Sequence, residues 1–209
     1  EDVMKIIGLC GGSGSGKGSA CRIFSEFGIP CIDTDAVYRE ITSAPGECLT
    51  ALQNEFGSEI ITESGALNRK KLASIVFSGE DSCYRLARLN EITHKFILDE
   101  TRRRLDNYRA MDAVAAIVDA PVLFESGFDR ECDVLVFVAA ERELRIARIM
   151  SRDGITREAA EHRINSQMSD AELISRCDYM IRNDRDLSYL KQEVKTVLKK
   201  ILDKYYFER

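Results

Sequence analysis

Residues Gly11-Gly12-Ser13-Gly14-Ser15-Gly16-Lys17-Gly18-Ser19 bring together the residue types that bind phosphate. Glycines let a backbone turn tightly and approach an anion with no Cβ in the way. The N–H groups so exposed, together with the positive end of a following helix, attract phosphate oxygens. Lys17 adds a point charge suited to the β- and γ-phosphates of a nucleotide. An apolar run, Met4-Lys5-Ile6-Ile7-Gly8-Leu9, precedes the loop, and a helical pattern from Ser19 to Phe24 follows it. That strand–loop–helix setting is what a P-loop requires. Gly12, Ser13, Gly14, Ser15, Gly16, Lys17, Gly18 and Ser19 are therefore candidate ATP-binding residues. The plain alternative is a flexible glycine turn with an incidental lysine. The common motif places Ser or Thr directly after the lysine to help hold Mg²⁺. Here Gly18 takes that place, so Ser19 becomes the candidate metal ligand, directly or through water.

Three further groups could act beside such a loop. Asp33 and Asp35 close the short apolar segment Cys31-Ile32. At i and i+2 on an extended segment they point to one side, and one could orient or accept the proton of an attacking hydroxyl. One of them could instead cap the next helix, since Asp35 precedes Ala36-Val37-Tyr38-Arg39, a plausible helix start. Asp119 ends the apolar run Ala115–Val118, where a carboxylate at a strand tip can hold a metal or its waters. It could equally be a buried Asp bonded to loop backbone. Arg145, Arg148 and Arg152, at i, i+3 and i+7, share a helix face suited to clamping a migrating phosphoryl group. The alternative is a solvated charged face paired with Glu141 and Glu143. Asn183, just beyond the last strand, is a candidate for the adenine end of ATP.

Positioning these groups calls for an α/β fold. Short apolar runs at Val3–Cys10, Pro30–Asp33, Ala113–Asp119, Val134–Ala139 and Tyr179–Ile181 alternate with longer helical patterns. Val, Ile and Ala dominate the first four, as in strands buried on both faces of a parallel sheet. From Asp35 to about Met111 no strand pattern occurs, and the longest helix there spans about Ser82 to Tyr108. The expected organisation is a P-loop NTPase-type parallel sheet flanked by helices, formed by residues 1–35 and 112–209, with a lid at about 141–175 and a helical insert at 36–111. A terminal helix from about Leu187 to Tyr206 reads as core packing.

Composition narrows the class. The chain has 209 residues, 44% hydrophobic, enough for a sizeable core. A formal charge of −5 lacks the basic footprint of a nucleic-acid binder. The seven cysteines include no CxxC pair, which fits neither a disulfide framework nor a zinc site and suggests reduced core residues. No apolar run approaches the ~18 residues of a membrane helix, and the opening Glu-Asp-Val-Met is unlike a signal peptide. A cytoplasmic location is expected.

With Phe27-Gly28-Ile29-Pro30 and Ile32-Asp33-Thr34-Asp35, the loop closely resembles the dephospho-CoA kinase family. Further similar segments follow in order: Pro45-Gly46, Phe56-Gly57, Gly65-Ala66-Leu67-Asn68-Arg69, Leu72 through Phe77, and Leu89-Asn90-Glu91-Ile92-Thr93-His94. Ala120–Glu125, Arg152-Asp153, Arg163-Ile164 with Gln167, Asp178-Tyr179 and Asn183 complete them. Gly18, Lys95 and Val122 depart from the family pattern; Gly18-Ser19 has the order found in adenylate-kinase-like enzymes. The resemblance implies transfer of the γ-phosphoryl group of ATP to the 3′-hydroxyl of dephospho-CoA, with Mg²⁺ as cofactor. It implies catalytic roles for Asp35, Lys17, Arg148 and Arg152, with Asp35 on the acceptor hydroxyl. Leu67, Arg69, Phe77 and His94 fall on the implied substrate surface beside Asp35, and Ser19 and Asp119 on the metal. The expected partners are ATP and dephospho-CoA, with no nucleic acid and no membrane, in a monomer or small homo-oligomer. The rivals are a nucleoside or nucleotide kinase of the same fold and a nucleotide-binding module without transfer activity.

Overall fold

A computed structural model describes residues 4–206. Val3, where the first strand was expected to begin, lies outside them. Five strands form one sheet: β1 (Lys5–Cys10), β2 (Cys31–Asp33), β3 (Ala115–Asp119), β4 (Val134–Ala139) and β5 (Tyr179–Arg182). Their order is β2-β3-β1-β4-β5. β1 pairs in parallel with β3 (Leu9 opposite Asp119) and with β4 (Cys10 opposite Phe137), and β4 pairs in parallel with β5. All the residues of β1 after Lys5 are buried, as both-face coverage demands. From β1 the chain goes to the edge at β2, returns to β3 beside β1, and then crosses to β4 and β5 on the other side. That switch point opens a crevice at the carboxyl end of β1, where ligands of open α/β sheets bind.

The chain divides into two compact units. The first comprises residues 1–32 and 108–209. In its core, Ala20, Ile23 and Phe24 of α1 (Lys17–Glu26) and Leu190, Val194 and Ile201 of α9 (Leu187–Tyr206) pack with Ile7, Leu9, Ile117, Val136 and Val138 of the sheet. Three short helices, α6 (Arg142–Asp153), α7 (Arg157–Asn165) and α8 (Asp170–Arg176), occupy the stretch expected to be a lid. α6 and α7 share a small core of Ile146, Ile149, Ala160 and Ile164. Their ends are marked in the sequence: Gly154 stops α6 at φ 64°, Thr156 caps α7, and Ser169 with Glu172 forms a capping box on α8.

The second unit, residues 33–107, is helical. α2 (Thr34–Ile41), α3 (Glu47–Phe56), α4 (Arg69–Val76) and α5 (Ser82–Ala110) are joined by loops, with one isolated bridge between Ile61 and Leu67. Leu49, Leu52, Ile60, Leu67, Leu72 and Val76 form its core. α5 buries little beyond Thr93, Thr101 and Leu105. Its surface carries ion pairs such as Arg102–Asp99 and Arg103–Glu100, each three residues apart on one face. Among the described residues no helix is long and apolar enough to cross a membrane.

Candidate active site

The loop between β1 and α1 is held from outside by its carbonyls. Lys17 Nζ donates to the Gly11 carbonyl at 2.9 Å. Arg145 Nε donates to Ser13 O at 2.9 Å, Arg148 Nη1 to Gly14 O at 3.2 Å, and Asn183 Nδ2 to Ser15 O at 2.7 Å. Gln167 closes the set, accepting from Ser13 N at 2.8 Å and donating to Ser13 Oγ at 3.1 Å. These contacts engage the carbonyls of Gly11, Ser13, Gly14 and Ser15 and fix the course of the loop.

Two glycines make that fold possible. Gly14 has φ 77°, and a Cβ there would lie 2.6 Å from the Arg145 carbonyl. Gly16 has φ 92°, and a Cβ would lie 2.1 Å from Asn183 Nδ2. Any side chain would push the clamps off the loop and adopt a left-handed backbone that disfavours L residues. Gly16 is also the N-cap of α1, and no side chain caps that end. The first N–H groups of α1, beginning at Lys17 rather than Ser19, therefore keep the character of an anion site. Ser15 Oγ is buried beneath the loop with no hydrogen-bond partner.

The arginine face differs from expectation. Arg145 is no solvated charge: it is 5% exposed, and its Nη1 meets Asp170 Oδ1 of α8 at 2.9 Å. It ties α6, α8 and the loop together, a role that the sequence reading undervalued. The signal was present, since Arg145 adjoins the apolar stripe Ile146–Ile149 on α6. Arg148 also reaches the loop and donates Nη2 to the Asn183 carbonyl at 3.0 Å. Burial draws its guanidinium below the usual arginine range, and Asp184 opposes that shift. Arg152 is turned outward; its Nε and Nη2 bind Asp153 at 2.7 and 2.9 Å, and Arg163 joins the same carboxylate. The hydrogen bond from Arg152, ahead of the other contributions, holds the Asp153 carboxyl down at about 2.

Asp119, at the end of β3, places Oδ1 3.8 Å from Lys17 Nζ, and its Oδ2 accepts from Cys21 Sγ at 3.7 Å. It therefore stands beside the loop lysine, with only 14% of its side chain exposed. Ser19, in the first turn of α1, accepts from Arg22 Nη2 at 3.2 Å. Among the described residues no cluster of three His, Cys, Asp or Glu could cage a metal by itself. One carboxylate and one hydroxyl are hard oxygen donors. They fit a divalent ion whose other ligands are nucleotide phosphates and water.

In the second unit the paired aspartates part company. Asp33 is the N-cap of α2, its Oδ1 accepting from Asp35 N at 2.8 Å and Ala36 N at 3.0 Å. The helix starts at Thr34, so Asp35 lies in its first turn, exposed. Two expectations are thereby corrected, that both carboxylates point to one side of an extended segment and that Asp35 precedes the helix as its cap: the chain leaves the strand at Asp33, which is itself the cap. Arg69 Nη2 donates to Thr42 Oγ1 at 2.8 Å, and its guanidinium lies 5.7 Å from the Tyr38 ring centre. Leu67 is a core residue, 5% exposed, whose N–H donates to Thr42 O at 3.0 Å. Thr42 thus fixes both Leu67 and Arg69. Phe77, following α4, is 66% exposed, and His94 is half-buried on α5.

A parallel sheet, a glycine loop at its switch point and clamping arginines define a P-loop phosphotransferase of the small-molecule kinase type. The profile of the dephospho-CoA kinase family matches residues 5–188. This chain belongs to that family. It is 36% identical over 199 residues to a dephospho-CoA kinase of Syntrophotalea carbinolica, covering 95% of this chain and 93% of that one. It is 37% identical over 189 residues to one of Corynebacterium diphtheriae, covering 90% and 93%. Among solved structures, a Thermus thermophilus protein superposes with TM-score 0.70 at 27% identity, covering 95% of this chain and 98% of that one. A shikimate kinase of Acinetobacter baumannii superposes with TM-score 0.53 at 15% identity, covering 97% and 96%, a likeness of fold alone.

Proposed function

We propose that this protein transfers the γ-phosphoryl group of ATP to the 3′-hydroxyl of dephospho-CoA, giving coenzyme A and ADP, the closing step of coenzyme A biosynthesis. The observation that carries the reaction type is the loop whose carbonyls are held by Lys17, Arg145, Arg148 and Asn183 while α1 begins uncapped. The substrate follows from the family match over residues 5–188.

In this reading residues 12–19 cradle the phosphates through backbone N–H groups, and Asn183 lies toward the adenine. Lys17 stabilises charge that grows on the transferring group. Arg148 and Arg152 act from a lid of residues 141–175, with Arg152 leaving Asp153 when the lid closes. Asp35 orients the acceptor hydroxyl and accepts its proton, while Asp33 fixes the helix that carries it. The unit from Asp33 to Asn107 receives the coenzyme A moiety, with Arg69, Phe77 and His94 on its surface and Leu67 holding the backbone beneath Arg69. Asp119 and Ser19 would hold Mg²⁺, which when bound neutralises developing charge on the β- and γ-phosphates. The protein works in the cytoplasm, as a monomer or small homo-oligomer.

A coupled assay of ADP release with dephospho-CoA, AMP, uridine and no acceptor in parallel tests this. Dephospho-CoA alone should support fast, stoichiometric release. Equal turnover with AMP or uridine would make the chain a nucleotide or nucleoside kinase, and ATP binding without turnover would make it a non-catalytic module.

A further inference from the structure

Cys10 and Cys177 lie 167 residues apart in sequence, yet their sulfurs approach to 3.1 Å. Cys10 is the last residue of β1 and leads directly into the phosphate loop. Cys177 ends α8, the last helix of the lid stretch, just before β5. β4 lies between β1 and β5, so the thiol pair bridges that strand. The two sites differ in access: Cys10 is 4% exposed, whereas Cys177 is half-buried. Both are free thiols.

We propose that Cys10 and Cys177 are a reversible dithiol–disulfide pair, oxidised by hydroperoxides, whose closure disables the phosphate loop. The more accessible Cys177 is the sulfur that meets the hydroperoxide. The hydrogen bond from Cys10 favours its thiolate, drawing its pKa below the ordinary thiol value, while burial opposes. The Cys177 thiolate attacks a peroxide oxygen; the O–O bond breaks, an S–O bond forms, and an alcohol or water molecule leaves. The Cys10 sulfur then attacks the sulfenyl sulfur, an S–S bond forms, and the departing hydroxide takes the Cys10 proton as water. Overall two thiols lose two electrons and two protons to one hydroperoxide.

The consequence follows from what surrounds the pair. A disulfide needs about 2.05 Å between sulfurs, so closure moves one of them by about 1 Å. Cys177 is poorly placed to yield. Its neighbour Asp178 is pinned to Leu135 of β4 through backbone N to carbonyl at 2.9 Å and carboxylate to N–H at 2.8 Å. Cys10 is held as well, paired in the sheet opposite Phe137, so the strain of closure reaches the turn that follows it at Gly11, whose carbonyl anchors Lys17. The crosslink would also fasten α8, which holds Arg145 through Asp170, to the loop's own strand. The crosslink itself stands independently of the proposed reaction; only its effect on turnover rests on that reading.

The test treats purified protein carrying Cys83→Ser, which removes an exposed thiol, with hydrogen peroxide and then with dithiothreitol. Three readouts are taken: a non-reduced tryptic map, ADP release with dephospho-CoA, and titration with a fluorescent ATP analogue. Expected are a linked peptide of residues 6–17 with 177–182, a fall in turnover of tenfold or more, weaker analogue binding, and recovery on reduction. Cys177→Ser and Cys10→Ser, made separately, should each keep their rate under peroxide. Absence of the linked peptide, or a linked protein that turns over and binds the analogue unchanged, overturns the proposal. So does equal inactivation of both serine variants. A protein with no basal turnover sinks the proposed function, while the map and the analogue titration still decide the pair.

Discussion

Arg145 donates Nε to the Ser13 carbonyl at 2.9 Å and Nη1 to Asp170 at 2.9 Å, from a position almost closed to solvent. One guanidinium thereby couples the phosphate loop to α6 and α8. A planar fork can serve two acceptors in fixed directions; an ammonium on a flexible stem cannot. Arg145→Lys should lower kcat/KM for ATP by about 10²-fold, the cost of a loop displaced by about an ångström. Steady-state kinetics at varied ATP checks this, and a variant within threefold of the parent would show that the loop keeps its shape without the fork.

Lys17 is half-buried between the Gly11 carbonyl and Asp119, so Lys17→Ala deletes a charge without opening the core. The fold should persist, as read by circular dichroism. kcat should drop roughly 10²–10³-fold, the scale for loss of one preorganised group stabilising transition-state charge. Near-full kcat would place the transferring phosphoryl group elsewhere.

Much of this arrangement was legible in the sequence. β1, β3 and β4 announce themselves because strands covered on both faces are apolar runs, and the loop because few backbones need so many glycines. Helices α6, α7 and α8 carry their own end signals at Gly154, Thr156 and Ser169. What resisted reading was long-range. Arg145 looks like its neighbours Arg148 and Arg152 until Asp170 and Ser13 are brought to it. Cys10 and Cys177 have no local mark of being paired. Asp33 and Asp35 are both good cap residues, and only the point where β2 turns into α2 decides between them.

Closure of residues 141–175 is expected because a kinase must exclude water from the phosphoryl group. Arg152, now bound to Asp153, is the residue whose exposure should change most. Hydrogen exchange in this stretch should slow when dephospho-CoA and a non-hydrolysable ATP analogue are both present, more than with either alone. Exchange indifferent to the ligands rules out a lid here.

The two aspartates at the start of α2 should separate cleanly by experiment. Asp33 works through structure: its carboxylate satisfies the N–H groups of Asp35 and Ala36. Asn caps as well as Asp does, so Asp33→Asn should leave both stability and kcat close to the parent, whereas Asp33→Ala should destabilise the unit by about 1 kcal/mol. Asp35 needs its charge instead. A ribose hydroxyl is a weak nucleophile, and a carboxylate within hydrogen-bond reach can align it and take its proton as the bond forms. The transition state of phosphoryl transfer is loose, so alignment carries much of the effect and proton transfer comes late. Asp35→Asn keeps the size and loses the basicity, so kcat should fall by roughly 10²–10⁴-fold. ATP affinity should hardly change, because the phosphate loop is untouched. Kinetics and thermal melts on the three variants decide the matter: an active Asp35→Asn beside an inactive but folded Asp33→Asn would mean that the roles are reversed.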